Sequence, residues 1–589
     1  MIFTFIALCA LAAETCALPI RHSQSITLKH RHQHFPRQLD SPAIPRTITL
    51  IPSPSATSST TSLPISTPSS SIASTPLSST SSPSTSAPSS SMSSPSTPSP
   101  SPQPPSSGSR KYVVAHHMVG NTFPYTKQDW ADDVALAHAS GIDGFALNYG
   151  RDEWQPARID DAYEAARNSG LDFKMFLSLD MTSLPCDSPQ AAEALRSLVS
   201  KYISHPNQLQ YDSRAFVSTF AGETCTFGQG SVPQAWETQF ARHPDLQGKI
   251  YFVPAFFVDP AKFGDFKNVI DGDFNWNSGW PVELTTSFAS SLLQKVGVTD
   301  LSNAPARLTN LVSSGPVNDL SSQLEAQLTQ FIGSTESDKQ HLEGLKSLGD
   351  APLAPRDEAL ASPPKGRAYM AAVSPWFFTH YGADSFAKNF MYLTDQHLYS
   401  RRWESLISSR DQFDIVQVLT WNDYGESHYI GPIKGAQPNS QAWVDGFDHT
   451  GWLEMTGYYA TAFKTGAFPA IEKDRIYMWA RSHPTRAQAP DPVGPPSNFE
   501  LAQDAVWAVV MATAPSTVTL STSDTNTRTF NVPAGVTKLS IPISAGDTMQ
   551  GSISRDGKVV VELKPESFSF QGSPKIYNFN AFVASASAS

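Results

Sequence analysis

Short apolar runs alternate with amphipathic stretches between residues 110 and 485. This alternation is typical of strands separated by helices. The predicted strands are KYVVAHHM, GFALNYG, FKMFLSLDM, RAFVSTFAGE, IYFVPAFFV, VIDGDFNWN, AYMAAVSPWFF and DIVQVLTWND. Eight strands with intervening helices predict an α/β protein with a (β/α)8 TIM barrel over 110–485. A doubly wound open sheet is the alternative, but no Gly-rich phosphate loop follows the first strand.

Two of the intervening helices carry start signals. Thr126 and Asp129 have the spacing of a capping box, and Ser188 followed by Pro189 is typical of an N-cap and a first helical position. Residues 290–366 are longer than a strand–helix connection needs. Within them DLSSQLEAQLTQFIG has apolar residues at helical spacing, so we expect an inserted helical excursion; a partly disordered lid is the alternative.

The apolar period changes to two after residue 485. STVTLSTS, TRTFNVP and TKLSIPIS alternate apolar and polar residues and are separated by Gly, Asp and Asn turns. This pattern predicts a C-terminal antiparallel β-sandwich over residues 486–589.

The first 109 residues have a different composition. Residues 1–17 are predicted to be a secretory signal peptide, with an uncleaved anchor as the alternative. Residues 18–40 are rich in His and Arg and are interpreted as a pro-segment or basic tail. Residues 41–109 are nearly all Ser, Thr and Pro, which predicts a disordered, O-glycosylated linker. The sequence therefore predicts a secreted protein, extracellular or in a cell wall.

The overall charge narrows the possible partners. The chain has 42 Lys and Arg against 53 Asp and Glu, a net charge of −11. An acidic chain lacks the basic face that nucleic acids and anionic membranes require. We expect neither as a partner, and we expect a monomer.

Two cysteines remain after the predicted signal peptide. Cys186 and Cys225 each follow a predicted strand, and a secreted protein folds in an oxidising compartment. We expect a disulfide between them; two buried free thiols are the alternative.

Polar and aromatic residues close nearly every predicted strand. In a barrel the carboxyl ends of all strands meet at one face, where active sites lie. The strand-end residues are His116 and His117, Asn148, Asp180, Glu223, Phe256 and Phe257, Asn275 and Trp276, Trp376 and His380, and Trp421, Asp423 and Glu426.

This set of side chains is typical of a carbohydrate site. Aromatic faces stack on sugar rings, while amides and carboxylates bond hydroxyls. Glycosidic hydrolysis needs two carboxyl groups, and Asp180, Glu223, Asp423 and Glu426 are candidates. Each alone has an ordinary structural explanation, such as a helix cap or an ion pair.

Other chemistries fit the sequence less well. His116, His117, Asp180 and Glu223 suggest a divalent metal, but adjacent histidines on a strand point in opposite directions. Ser374 precedes a proline and no G-x-S-x-G elbow is present. We expect no metal and no cofactor.

Several long motifs resemble fungal α-1,3-glucanases, or mutanases, of glycoside hydrolase family 71. They are AHHMVGNTFPYTKQDWADDVALAHASGIDGFALNYG, FKMFLSLDM, FVSTFAGE, VSPWFFTHYG and VLTWNDYGESHYIGPI, together with the ending KIYNFNAF. The resemblance implies a secreted, endo-acting, inverting hydrolase of fungal wall α-1,3-glucan. It also implies that Asp180, Asp423 and Glu426 are the essential carboxylates.

We expect Glu426 to be the general acid, kept protonated by nearby negative charge and aromatic burial, and Asp423 to be the base. Asp180 is expected to bind a sugar hydroxyl or to share the base role, and the exchange of acid and base stays open. The residues expected to bind substrate are His116, Asn148, Glu223, Asn275, Trp276, Trp376, His380, Trp421, Asn422, Tyr424 and His428.

Two other functions remain open at this point. A catalytically silent protein would use the same hollow to bind wall glycan, and a hydrolase of another α-glucan would use the same chemistry on a different linkage. Intact carboxylates favour catalysis over silent binding.

Overall fold

The computed structural model describes residues 110–295, 330–349 and 366–589 of the chain. The signal peptide, pro-segment and linker predicted over residues 1–109 lie outside these ranges, as does most of the helix predicted over 319–333. No helix in the described ranges is long and apolar enough to cross a membrane.

The strands before residue 420 match the predicted apolar runs. All eight predicted strands are present, and the structure adds three short ones that the apolar pattern missed. The strands are β1 Tyr112–Met118, β2 Gly144–Tyr149, β3 Lys174–Asp180, β4 Gln210–Tyr211, β5 Arg214–Phe220, β6 Ile250–Ala255, β7 Gly272–Asn275, β8 Ala368–Val373, β9 Phe378–His380, β10 Asn389–Met391 and β11 Ile415–Val418.

The eight predicted strands form one curled parallel sheet in the order β7-β8-β11-β1-β2-β3-β5-β6, and β4 pairs antiparallel with β5. The two outermost strands approach each other at one point. Asp271 N donates to Phe252 O over 2.8 Å, and Phe252 N donates to Asp271 Oδ2 over 2.9 Å. The strands and the helices between them make a mixed α/β unit.

Helices cover the outside of this sheet. Both predicted start signals are confirmed: Thr126 and Asp129 form a capping box, and the Ser188 hydroxyl accepts from Ala191 N. The helices are α1 Lys127–Ala139, α2 Gln155–Ser169, α3 Pro189–Tyr202, α4 Val232–Trp236, α5 Thr286–Lys295, α6 Glu336–Ser347, α7 Leu398–Ser408, α8 Gln441–Val444 and α9 Thr450–Thr465.

Alternate residues of the strands face two separate apolar cores. Val114 and Phe176 pack inside the curl, whereas Val113 and Leu177 pack between the sheet and the helices. Side chains alternate along a strand, so polar residues two positions beyond Val114 and Phe176 also face inward. The inner face is therefore apolar in the middle and polar at the carboxyl ends of the strands.

Helix α6 lies within the segment predicted to be an insertion, yet it is part of the outer layer. Buried Asp338 accepts from Arg402 Nη1 over 2.6 Å, from Arg402 Nη2 over 2.8 Å and from the Tyr369 hydroxyl over 2.9 Å. These bonds join α6 to α7 and β8. This part of 290–366 is thus the helical connection between β7 and β8, and the rest lies mainly outside the described residues.

The C-terminal part forms two antiparallel sheets that share one apolar core. Their strand orders are β16-β13-β12-β19 and β15-β14-β17-β18. The strands are β12 Arg475–Arg481, β13 Ala505–Ala512, β14 Ser516–Ser523, β15 Asn526–Val532, β16 Gly535–Pro542, β17 Gln550–Arg555, β18 Lys558–Leu563 and β19 Ala581–Ser587. Strand β12 lies before the boundary predicted at residue 486, although it is a central strand of the first sheet.

The first C-terminal sheet packs directly against α7. His397, just before this helix, lies within 3.0 Å of Ala508 O and 2.9 Å of Leu539 O, and Lys538 Nζ donates to Glu404 Oε2 over 2.7 Å. Burial lowers the pKa of His397 to about 4, so the ring stays neutral. The junction is therefore specific and largely buried.

The predicted disulfide between Cys186 and Cys225 is confirmed. It joins the loop after β3 to the loop after β5, which are neighbouring strands at the carboxyl edge of the sheet. Asp180 is the last residue of β3 and Glu223 lies in the loop after β5, so the bond limits their relative movement.

Removing this bond should destabilise the protein. A loop of 39 residues is expected to contribute about 4 kcal/mol through the entropy of the unfolded chain. We predict that the double variant Cys186→Ala/Cys225→Ala unfolds at lower denaturant concentration than the oxidised wild type. Reduced wild type is the control and should resemble the variant; equal midpoints for oxidised and reduced protein would contradict the prediction.

Candidate active site

The segment after β11 folds back on itself and presents its carboxylates at the carboxyl edge of the sheet. Ile430 N donates to Thr420 O over 2.9 Å, and Gly431 N donates to Trp421 O over 2.8 Å. These two bonds fold residues 420–431 into a closed loop. Asp423 and Glu426 lie in its middle, Asp423 just before a short 3-10 turn and Glu426 at the end of that turn. The two acids are therefore fixed by backbone geometry.

Asn422 holds this loop against the end of β1. Its Oδ1 accepts from Met118 N over 2.7 Å, its Nδ2 donates to Met118 O over 3.1 Å, and its own carbonyl accepts from Asn121 Nδ2 over 2.9 Å. The amide thus continues the hydrogen bonding of the sheet beyond the last paired residue. This corrects the expectation that Asn422 binds substrate, because both ends of its amide are used by β1.

A buried histidine bridges the two carboxylates. His428 Nε2 lies 3.2 Å from Asp423 Oδ2 and 3.3 Å from Glu426 Oε2. Burial disfavours a charged ring, but the adjacent Asp423 and Glu426 carboxylates outweigh it and raise the pKa of His428 to about 9. The ring therefore carries a proton at neutral and acidic pH and neutralises part of the charge of the pair.

A second cation reaches Glu426 from a different part of the chain. Lys388 Nζ donates to Glu426 Oε1 over 3.0 Å. Lys388 lies at the end of the loop between β9 and β10, where its carbonyl accepts from Tyr381 N over 2.7 Å. The sequence analysis missed this residue, since nothing in the local pattern around position 388 connects it with the loop after β11.

The electrostatic surroundings of Glu426 differ from the expected ones. The sequence predicted that negative charge and aromatic rings would surround it. In the structure it also lies between two basic groups, with Lys388 Nζ 3.0 Å from its Oε1 and His428 Nε2 3.3 Å from its Oε2. The buried Tyr381 lies on the same side, and burial with the charges of Asp423 and Glu426 raises the pKa of its hydroxyl.

Polar residues of β1, β2 and β3 continue the inner face beside this loop. His116 Nδ1 lies 2.9 Å from Gln417 Nε2 of β11. Asn148 pairs in register with Met118 on one side and with Ser178 on the other. The Asn148 amide is fully buried, and no described residue forms a hydrogen bond with its Oδ1 or Nδ2. A ligand hydroxyl is the kind of group that would satisfy it.

Asp180 closes β3 on the same inner face. It is fully buried, and its Oδ1 accepts from Thr182 N over 3.1 Å and from Thr182 Oγ1 over 2.7 Å. Strands β11 and β3 are three places apart in the sheet, or about 14 Å along it, and the curl shortens the direct path. Asp423, Glu426 and His428 form one cluster, and Asp180 approaches from the far side of Asn148.

Trp276 is almost fully buried on the inner face of the curled sheet, beside the polar strand ends. Its ring centroid lies 4.8 Å from that of His116 and 6.4 Å from that of His428. Glu223 is half-buried at the end of the β5 loop, where its Oε2 accepts from Phe257 N. Both residues therefore lie at the predicted edge of the sheet, Trp276 buried on its inner face and Glu223 partly exposed.

The cluster of Asp423, Glu426 and His428 also has the composition of a metal site, since one atom of each lies within 4.8 Å of the others. A metal requires a deprotonated imidazole. With the pKa of His428 at about 9 and Lys388 alongside, the cluster already contains two cations.

Comparison with known proteins identifies the family. The family model of glycosyl hydrolase family 71 matches residues 109–301 and 337–589. The chain belongs to glycosyl hydrolase family 71. The resemblance seen in the sequence motifs is confirmed.

This family 71 hydrolase is similar in sequence to three named proteins. Glucan endo-1,3-alpha-glucosidase agn1 of Schizosaccharomyces pombe is 35% identical over 478 residues, covering 80% of this chain and 94% of the relative. A mutanase of Penicillium rubens is 29% identical, covering 82% and 90%. The ascus wall endo-1,3-alpha-glucanase of S. pombe is 28% identical, covering 80% and 96%.

Solved structures are more distant. A GH99 endo-alpha-mannosidase from Bacteroides thetaiotaomicron has a TM-score of 0.36 and 10% identity, covering 61% of this chain and 99% of that chain. A similarity at this level says nothing about the site. The architecture of the family 71 hydrolase is therefore described from its own strand order.

Five predicted substrate-binding residues of the family 71 hydrolase lie away from the hollow, in addition to Asn422. Trp376 Nε1 donates to Phe579 O, and the two ring nitrogens of His380 face Asn389 and Asp491. C-terminal residues, which the sequence could not place, cover both side chains. The expectation of substrate binding is corrected for these five residues: Trp376, His380, Asn275, Trp421 and Tyr424.

Strand alternation explains one of these corrections. Asn275 Nδ2 donates to Ser337 Oγ of α6 over 2.9 Å, so it points outward while Trp276 points inward. Trp421 is buried in the outer core against Phe145. Tyr424 is held within the loop, where its hydroxyl donates to Pro432 O over 2.9 Å. These residues shape the site without facing it.

The raised pKa of His428 predicts a dependence of stability on pH. The protonated His428 ring adds to the free energy of unfolding. This contribution is fully present below the unfolded pKa of 6.5 and is lost as the pH rises to about 9. We predict that the wild type loses roughly 3 kcal/mol of unfolding free energy across this window. His428→Asn should lack this loss in denaturant titrations at a series of pH values. Parallel pH curves for the two proteins would contradict the bridging role.

Proposed function

We propose that this family 71 hydrolase is a secreted glucan endo-1,3-α-glucosidase that cleaves the α-1,3-glucan of fungal cell walls. The observation that carries the proposal is the pair Asp423 and Glu426, held by one buried His428 at the carboxyl edge of the sheet. The names of the relatives supply the linkage. The polysaccharide is the partner, and the enzyme works as a monomer without a cofactor.

The proposed architecture is a (β/α)8 barrel followed by a β-sandwich. Eight parallel strands in one curled sheet, with bonds between β6 and β7 at its open edge, support the barrel. Two antiparallel sheets around a shared core support the sandwich. In such a barrel the catalytic residues lie at the carboxyl ends of the strands, where Asp423, Glu426 and Asp180 are found.

Hydrolysis would proceed by acid–base catalysis. Glu426 donates a proton to the glycosidic oxygen, and Asp423 takes a proton from the water that attacks the anomeric carbon. When Glu426 is protonated, His428 Nε2–H donates to Asp423 Oδ2, 3.2 Å away. The positive charges of His428 and Lys388 support a second possibility, in which Asp423 is the acid and Glu426 is the base.

The supporting residues bind the sugar. The unsatisfied Asn148 amide and His116 bond hydroxyls, and Trp276 forms the wall against which a ring packs. Asp180 contributes a further carboxylate on the same inner face, as a hydroxyl acceptor or a partner of the base. Because it is fully buried in the free protein, contact with a sugar requires the neighbouring side chains to move.

The substrate can be tested with a panel of polysaccharides. We expect reducing sugar to be released from alkali-soluble α-1,3-glucan and not from dextran, starch or β-1,3-glucan. Glu426→Gln should lower the rate by about 10³-fold or more while glucan binding is retained. Glu404→Gln is the matched control, because Glu404 is paired with Lys538 far from the hollow.

Each outcome of this panel has a defined meaning. Binding without release by the wild type would favour a silent wall-binding protein. Release from dextran or starch instead would favour another α-glucan hydrolase. Full turnover by Glu426→Gln would exclude Glu426 as the proton donor.

The stereochemical course is a separate prediction. The resemblance implies inversion, which needs carboxyls about 6.5–9.5 Å apart to admit a water. In the free protein the nearest oxygens of Asp423 and Glu426 lie within 4.8 Å, so the bridge through His428 must lengthen when substrate enters. We expect the first product in an NMR time course to be the β-anomer. A first product in the α-configuration would exclude inversion.

A further inference from the structure

Two aromatic rings, one exposed and one half-buried, lie together at the carboxyl edge of the sheet. Phe123 is 62% exposed, more than any other large apolar side chain in the described ranges. Its ring meets Trp154 edge-on, with centroids 5.2 Å apart. Phe123 lies in the loop after β1 and Trp154 in the loop after β2, so both belong to the carboxyl edge of the sheet. We call these two residues the rim pair.

The loop that carries Phe123 is bonded to the catalytic loop. Asn121 Nδ2 donates to Asn422 O over 2.9 Å, and Ala436 N donates to Asn121 O over 2.8 Å. Phe123 follows Asn121 by two residues, a distance of at most about 7 Å along the chain. One side of the rim pair is therefore fixed close to Asp423.

The loop that carries Trp154 is bonded to the Asp180 loop. Arg151 N donates to Ser183 Oγ over 3.3 Å, and Ser183 N donates to Asp180 O over 3.1 Å. The same loop is tightened by Gln155, whose Oε1 accepts from Gly150 N over 2.7 Å. The rim pair thus lies between the two segments that carry the essential carboxylates.

Exposed apolar side chains are common and a single one needs no explanation. The rim pair differs because two rings from different loops meet at the carboxyl edge of the sheet, and hydrogen bonds attach each loop to the neighbouring segment. Fixed aromatic faces beside polar groups are the surfaces on which sugar rings stack. A chain of sugars that passes between Asp423 and Asp180 would meet them as it leaves the hollow.

We propose that Phe123 and Trp154 form an additional glucan-binding subsite, which holds the polysaccharide beyond the sugars at the cleavage point. This inference rests on the proposed α-1,3-glucanase activity. The subsite favours long chains over short ones, because a short oligosaccharide that fills the hollow does not reach the rim.

The experiment compares kcat/KM on long α-1,3-glucan with kcat/KM on the shortest α-1,3-linked oligosaccharide that the wild type cleaves. We expect Phe123→Ala to lower the long-to-short ratio about tenfold. Phe123→Tyr, which keeps an aromatic face, should restore most of it. Trp154→Ala is the second variant, with thermal unfolding used to check that its half-buried ring is not needed for folding.

Phe468 provides a matched control. Its ring is 47% exposed and stacks on the ring of Tyr458, with centroids 5.3 Å apart. Phe468 is therefore also an exposed ring packed on a second aromatic ring. It lies at the opposite end of the sheet, because nearby Lys464 donates to Gly141 O just before β2. Phe468→Ala should leave the ratio unchanged.

The outcomes separate this inference from the proposed function. An active wild type whose ratio is unchanged by Phe123→Ala overturns the subsite alone. A ratio that falls equally in Phe468→Ala also overturns it, since the effect would not depend on position. No release from α-1,3-glucan of any length by the wild type overturns the proposed function and the subsite with it.

Discussion

The site depends on one constraint: two carboxylates are held close together in a largely buried position by a shared imidazole. Asp423 and Glu426 would repel each other strongly if nothing lay between them. His428 supplies the missing charge, and the pair in turn raises the pKa of the ring to about 9. Lys388 adds a second cation at the outer oxygen of Glu426. Asp423, Glu426 and His428 come from one loop and Lys388 from a distant hairpin. Together they form a single electrostatic unit.

The rest of the molecule holds this unit in place. Asn422 attaches the loop to β1 through three hydrogen bonds to Met118 and Asn121. The β9–β10 loop that brings Lys388 is itself fixed by the C-terminal region, because His380 of β9 lies 2.7 Å from Asp491. The C-terminal part thus supports the hairpin that supplies the second cation. Its position gives it an indirect part in the acid–base chemistry.

The apolar pattern predicted the parallel sheet because each buried strand is a continuous apolar run in the sequence. All eight predicted strands are found where these runs lie. It also predicted which acids come to the carboxyl edge. It could not assign the direction of each side chain beyond the strand ends, where Asn275 turns outward beside the inward Trp276. Contacts between distant segments left no local signal either. Trp376 and His380 are covered by residues near 579 and 491, and Lys388 reaches Glu426 across 38 positions.

The most direct measurement is a crystal structure of Glu426→Gln with a bound α-1,3-linked glucose oligosaccharide. We expect the glycosidic oxygen to lie about 3 Å from the side chain at position 426. We also expect a water between Asp423 and the anomeric carbon, with the amide of Asn148 bonded to a sugar hydroxyl. An oligosaccharide bound elsewhere on the protein, with the loop after β11 still closed around His428, would contradict these expectations.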